Sequence, residues 1–317
     1  MNAVLLALLL AAPPVRGVAL APHFEGERTV AQVQARVDEI AATGANWVQL
    51  VVQWGQREVR SVDIAPYRWG TDDGEIRALA RHARAKGLKV FIFPVLRLEA
   101  MGPGDWRGTL RPADRAAWWA AYRRFILHYA ALARDVGAEL FSVGSELGSL
   151  EGDLARWTGL VAAVRAVYPG RLTYSANWDH FHEVGFWPAL DVVGINGYFP
   201  LSRRDDASEA ELRATWAFIR DRILAWRPKD KPLMFTEIGY PSVVGAARRP
   251  YHYGGDGALD LEAQRRAYAA FVSAWGEEPA LAGVFVWAWT GPGGPQDKGY
   301  GLRGKPALGI LRAWFGR

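Results

Sequence analysis

Short, nearly unbroken apolar runs alternate along this chain with longer stretches in which apolar residues recur every three or four positions. The short runs lie at 15–22, 46–53, 89–96, 140–146, 171–177, 192–199, 232–237 and 282–289. Their length and β-branched, aromatic content predict eight strands. Runs such as VFIFPV and VFVWAW lack polar alternation, as expected of parallel strands covered on both faces. Helical spacing predicts helices over 30–42, 75–85, 113–136, 154–167, 209–226 and 261–275, with a last one over 305–315, while the fifth connection, 180–190, is short. Gly44 and Gly87 fall where a helix needs a left-handed stop before the next strand, and Asp72 reads as a helix N-cap. Adjacent tryptophans at 118 and 119 sit inside a helical pattern and read as packing of one helix on its neighbour. Eight strand–helix repeats imply a parallel sheet with right-handed crossovers. The fold expected is therefore of the α/β class, a (β/α)8 TIM barrel. An open doubly wound sheet would announce a glycine-rich phosphate turn after its first strand, where this chain has HFEGE.

Composition narrows this further. The 317 residues, 50% hydrophobic and 22% charged, suit one barrel domain spanning 15–317, since such domains run to about 250 residues and beyond. Net charge is +5, but the basic side chains are scattered along helices, which argues against nucleic acid as a partner. With no cysteine, disulfides, thiolate metal sites and cysteine nucleophiles are excluded. Residues 1–14 contain VLLALLLAA at 4–12, too short to span a bilayer but of the length of a signal-peptide core. The segment is read as an export signal or an apolar N-terminal extension, with a secreted or periplasmic, monomeric protein and no membrane partner expected.

In such barrels the reacting groups sit at the C-terminal ends of the strands. Polar or aromatic residues passing that filter are Gln53, Trp54, Arg97, Glu146, Asn177, Trp178, Asn196, Tyr198, Glu237, Trp287 and Trp289. Glu146 ends FSVGSE and Glu237 ends PLMFTE, and a carboxylate closing a buried strand is costly unless a partner or a reaction occupies it. The 91 residues between them correspond to three barrel repeats, which sets the two across the mouth from each other. Two carboxylates so placed, one an acid/base and the other a nucleophile or base, are the minimum equipment for cleaving a glycosidic bond; retaining chemistry needs them about 5–5.5 Å apart and inverting chemistry about 6.5–9.5 Å. Trp54, Tyr198, Trp287 and Trp289 are expected at the same mouth, where sugar rings stack on aromatic faces, and Tyr198 can donate to a carboxylate and keep its pKa low. Arg97 is expected to pair with Glu99 or Asp105. Three decoys are set aside. GYGLRGKP at 299–306 has Pro306 where a P-loop needs Ser or Thr, His180 and His182 lack a third metal ligand, and no GxSxG elbow exists. Neither metal nor cofactor is expected.

These motifs also resemble a known family. TGANWVQL at 43–50, WRGTLRP at 106–112, VGSEL at 143–147, INGYFPL at 195–201, FTEIGYPS at 235–242, and FVWAW followed by GGPQDKGYGLRGKPA are similar to those of glycoside hydrolase family 113, a β-mannanase family of the large barrel clan. The resemblance implies a retaining double displacement on β-1,4-mannan or mannooligosaccharides, with Glu146 as acid/base and Glu237 as nucleophile. It further implies Tyr198 as the nucleophile's hydrogen-bond partner and Trp287 as the sugar platform, with Trp54, Trp106, Arg107, Asn177, Asn196 and Trp289 also binding a polysaccharide or oligosaccharide. Ser145 stands where much of the clan has Asn, and no histidine follows the third strand. Another β-glycan, a glucan or galactan, and a non-catalytic glycan-binding barrel are the alternatives.

Overall fold

The structure, a computed structural model, describes residues 14–22, 29–253 and 257–316. The apolar run at 4–12 and the HFEGE turn lie outside the described residues. Eight parallel strands close on themselves: β1 (Val15–Leu20), β2 (Trp47–Gln56), β4 (Lys89–Leu98), β5 (Leu140–Ser145), β6 (Arg171–Asn177), β7 (Val192–Asn196), β8 (Leu233–Ile238) and β9 (Leu281–Val286), with β9 pairing back to β1. A two-residue strand, β3 (Ala65–Pro66), adds antiparallel to the end of β2. The fold is the expected (β/α)8 barrel, and its fourth and seventh strands are β5 and β8.

Around it lie α1 (Val30–Ala41), α2 (Asp73–Ala85), α3 (Arg115–Asp135), α4 (Leu154–Arg165), α5 (Glu209–Trp226), α6 (Leu261–Trp275) and α7 (Ala307–Phe315). Their starts are fixed by short polar caps: Thr29 with Gln32 on α1 and Ser208 with Glu211 on α5 form capping boxes, and Asp72 accepts from the Glu75 amide at α2. Gly44 and Gly87 adopt φ of 88° and 80°, the left-handed stops their positions demanded. The short fifth crossover holds two 3₁₀ turns, Phe181–Glu183 and Trp187–Ala189. Trp118 stacks on Tyr122 of its own helix, while Trp119 meets Trp157 of α4 edge-on, so the WW pair does pack one helix on the next.

Strand alternation divides the interior in two. On β2, Val48, Leu50 and Val52 join the large apolar layer between strands and helices, whereas Trp47 and Val51 join the smaller cluster inside the barrel with Phe91, Phe93, Phe285 and Met234. Every barrel strand is buried on both faces, which is why the sequence lacks polar alternation.

Candidate active site

Glu146 is the first residue past β5 and has φ 55°, a left-handed conformation disfavoured for a residue with a Cβ. The pairing of β5 with β6 shifts register between Ser142 and Ser145, and the Glu146 amide then donates to the Ser175 carbonyl at 2.9 Å. That irregularity turns the Glu146 side chain over the barrel mouth. Glu237 lies inside β8, where register against β9 also shifts, between Phe235 and Ile238. The glutamates are 5% and 3% exposed.

Three side chains hold them. Asn196, at the end of β7 and fully buried, has its carboxamide oxygen fixed by the Thr236 hydroxyl at 2.9 Å. Its Nδ2 therefore points at both acids, 2.9 Å from Glu146 Oε1 and 3.2 Å from Glu237 Oε1, with Ser145 Oγ at 3.3 Å. Sharing one nitrogen caps the separation of those two carboxylate oxygens at 6.1 Å. Tyr198 donates its hydroxyl to Glu237 Oε2 at 2.6 Å. Arg107, from the 3₁₀ turn Arg107–Thr109 that follows β4, places Nη2 2.6 Å from Glu146 Oε2.

Burial pushes the Glu237 carboxyl above the usual carboxylate range and the charge of Glu146 pushes the same way, against the pull of Arg107, Tyr198 and Asn196. A buried carboxyl beside a second acid is harder to ionise than one alone. Burial, then the charge on Glu237, raises the Tyr198 phenol well above its ordinary value, so it stays a donor. Burial works against the charged form of Arg107, but Glu146 and Glu237 outweigh it and leave its pKa raised. One fixed cation thus faces the two acids, of which Glu237 is hard to ionise.

These groups open into a cavity of about 510 Å³ lined by Trp106, Arg107, Glu146, Asn177, Trp178, Asp179, Tyr198, Glu237, Tyr251 and Tyr253. A side pocket of about 270 Å³ shares Tyr253 and adds Trp287, Lys298 and Tyr300. Tyr300 is fixed by its hydroxyl on the Pro250 carbonyl, and the buried Lys305 ammonium bonds the Ser242 hydroxyl at 2.8 Å and the Gly299 carbonyl at 2.9 Å. These contacts tie the loops that follow β8 and β9 together, and Lys305 is structural rather than part of a phosphate loop. A cavity of about 580 Å³ at the opposite end of the barrel, beside Trp47, Lys89 and Arg171, is lined by Glu277 and Glu278, which are not buried as Glu146 and Glu237 are.

Of the residues expected at the mouth, Trp106, Arg107, Glu146, Asn177, Tyr198 and Glu237 meet in the main cavity, Asn196 lies beneath it and Trp287 borders the side pocket. Trp54 and Trp289 do not reach either. Trp54 shares the outward parity of Val52 and packs against Phe125, His128 and Tyr129 of α3. Trp289 lies beyond the end of β9 in the outer layer and donates its indole N–H to Glu39 of α1 at 2.7 Å. Arg97 stacks over Tyr67, and Asp105 pairs instead with Arg111 at 2.8 Å. The strand-end filter missed Asp179, Tyr251 and Tyr253, which come from loops; the paired tyrosines of YHYGGDG, in a glycine-rich stretch after β8, were the available signal. His180 bonds Asp179 through Nδ1 and sets Nε2 3.1 Å from the Glu151 carboxylate.

The profile of Glycoside Hydrolase Family 113 matches residues 22–305. Among solved structures, the chain is similar to the β-mannanase of that family from Alicyclobacillus acidocaldarius in complex with ManMIm, with TM-score 0.84 and 30% identity over 96% of this chain and 98% of that one. A β-1,4-mannanase of the same family gives TM-score 0.83 and 25% identity over 96% and 99%. At 16% identity and TM-score 0.65, a family 5 enzyme from Streptomyces cattleya in complex with Manβ1-4GlcNAc shares the fold over 96% of this chain and 81% of that one. No curated protein sequence matches. With a buried acid pair at the mouth of its barrel and a family profile covering nearly the whole domain, the chain belongs to glycoside hydrolase family 113.

Proposed function

We propose that the protein is a retaining β-mannanase that cleaves β-1,4-mannosidic bonds in mannan or mannooligosaccharides. The observation that carries the stereochemical part is the single Asn196 nitrogen bonded to both glutamates. It keeps their facing oxygens within 6.1 Å, which supports the close spacing of a retaining site, about 5–5.5 Å between carboxyl groups, over the roughly 6.5–9.5 Å that leaves room for an inverting water. The two solved relatives described as mannanases support the substrate class.

In this reading Glu237 attacks the anomeric carbon as the bond to the leaving oxygen breaks, and Glu146 gives that oxygen its proton. The glycosyl ester on Glu237 is then hydrolysed by a water whose proton returns to Glu146, restoring both groups. Tyr198 holds the nucleophile's outer oxygen, and Trp178, Tyr251 and Tyr253 offer ring faces to the sugars. Arg107 keeps its charge through both steps and compensates the extra negative charge of the pair.

Proton NMR of the first product from mannotetraose gives the test, with glucan and galactan oligosaccharides run alongside. The β-anomer should appear first and Glu237→Ala should remove turnover. An initial α-anomer would defeat the retaining mechanism, and turnover confined to glucan or galactan would defeat the substrate assignment.

A further inference from the structure

The turn that carries Glu146 is held from behind by a buried polar chain that takes no part in the steps above. The amide of Leu147 donates to the Tyr174 hydroxyl at 2.7 Å, and that hydroxyl donates to Glu151 Oε1 at 2.6 Å. Glu151 Oε2 lies 3.1 Å from His180 Nε2, and His180 Nδ1 lies 2.5 Å from Asp179 Oδ1. Asp179 also accepts from the Asn177 amide at 3.0 Å and lines the main cavity. A continuous series of contacts thus runs from the cavity wall to the peptide unit joining Glu146 and Leu147.

Packing does not require this chain. Tyr174 is fully buried among Trp157, Phe186 and Trp187, a surrounding that phenylalanine would fill equally well. Glu151 is only 7% exposed, and burying a carboxylate is unfavourable unless it is paired. The Tyr174 hydroxyl has two partners, Glu151 and the Leu147 amide. Fixing that amide fixes the peptide plane after Glu146, whose left-handed backbone needs outside support to persist. His180 lies close against the same turn, since a Cβ on Gly148 would come within 2.8 Å of its Nε2.

We infer that Tyr174, Glu151 and His180 are positioning residues that aim Glu146 at the leaving-group oxygen, with Asp179 anchoring the series at the cavity wall. The inference rests on the reading of Glu146 as the proton donor. Misaiming a general acid harms a leaving group that needs a proton and spares one that does not. A residue holding only the fold would affect both alike.

The test compares kcat/KM on mannotetraose, whose leaving sugar must be protonated, with kcat/KM on 2,4-dinitrophenyl β-mannobioside, whose phenolate leaves unaided. Tyr174→Phe should lose about tenfold or more on mannotetraose while staying within about twofold on the dinitrophenyl substrate, general acid catalysis being worth roughly 10²–10⁴-fold in total. Glu151→Gln, which keeps the side chain's size, should show the same selectivity and carries the test if Tyr174→Phe fails to fold, as judged by its melting curve. Equal losses on the two substrates, or none on either, would overturn the positioning role. Glu146→Gln separates the two levels of the argument. Selective loss there without selective loss in the other variants rejects only the positioning, whereas equal loss in Glu146→Gln rejects its role as proton donor, and the inference with it.

Discussion

Replacing Asn196 by alanine removes a donor that two carboxylates share. The amide nitrogen has only two hydrogens but three acceptors within 3.3 Å, so the bonds to Glu146 and Glu237 are divided, and the lower end of the range for a bond to a charged group applies, about 1.5 kcal/mol each. The bond to Glu237 favours its ionised form. Losing it makes that carboxyl easier to protonate by roughly one pH unit, at 1.36 kcal/mol per unit. In Asn196→Ala the limb of the pH–rate profile of kcat/KM on mannotetraose that reports the ionisation of Glu237 should therefore move toward alkaline by about one pH unit, and the maximum should fall roughly tenfold or more because both acids lose the donor that holds them. Initial rates between pH 3 and 10, fitted for two ionisations, give the answer. A profile that stays in place with an unchanged maximum would refute the argument from the shared amide.

Tyr198→Phe makes the complementary case, since its hydroxyl touches Glu237 alone; one limb should move toward alkaline by roughly 1–2 pH units, and equal movement of both would count against the assignment. The raised pKa of Glu237 means that the folded state holds its proton more tightly than the unfolded chain, so stability is lost as pH rises from the ordinary carboxylate range through the folded value. Glu237→Gln removes that cost; it should melt roughly 2–6 °C above the parent at pH 8 and show little gain near pH 4, as followed by circular dichroism, with a lower melting point at pH 8 as the failing result. The Glu151 carboxylate 3.1 Å from Nε2, with Asp179 at Nδ1, pushes His180 up to about 9 against the effect of burial. Its stabilising contribution is thus complete below its unfolded pKa of roughly 6.5 and is lost as pH rises through about 9. His180→Gln should accordingly lower the melting temperature more at pH 6 than at pH 10, and equal losses would show that the charge contributes nothing.

The barrel was legible because its strands are buried on both faces and its helices on one, so each element writes its own period into the sequence. Glu146, Glu237, Asn177, Asn196 and Tyr198 were legible because the C-terminal ends of barrel strands are where such chemistry sits. Trp54 met the same positional filter, yet its even parity on β2 turns it toward α3; counting alternation from Val48 would have placed it there. Trp289 was misplaced because the chain beyond a strand's end follows local contacts that no periodicity records, whereas Arg97, still within β4, stacks on Tyr67 just past β3, a contact between distant residues. Tyr251, Tyr253 and Asp179 come from loops for the same reason, and the link from Leu147 through Tyr174 to Glu151 joins residues 27 and 23 positions apart. No local pattern announces such a pairing.

The division of each barrel strand into an inner and an outer row has a consequence for how the enzyme can change. Val48, Leu50 and Val52 answer to the helices, while Trp47, Gln49 and Val51 answer to the barrel interior, although the two sets alternate residue by residue. Selection for heat tolerance can therefore act on the helix-facing set while the inner set, through Gln49 on the Thr236 carbonyl, stays tied to the strand that carries Glu237, within the same ten-residue strand. A library that varies only the helix-facing positions of β2 should yield variants whose melting temperatures spread widely while their product patterns stay alike. Changes that answer to temperature are in this way kept on one side of the backbone and the support of the catalytic mouth on the other.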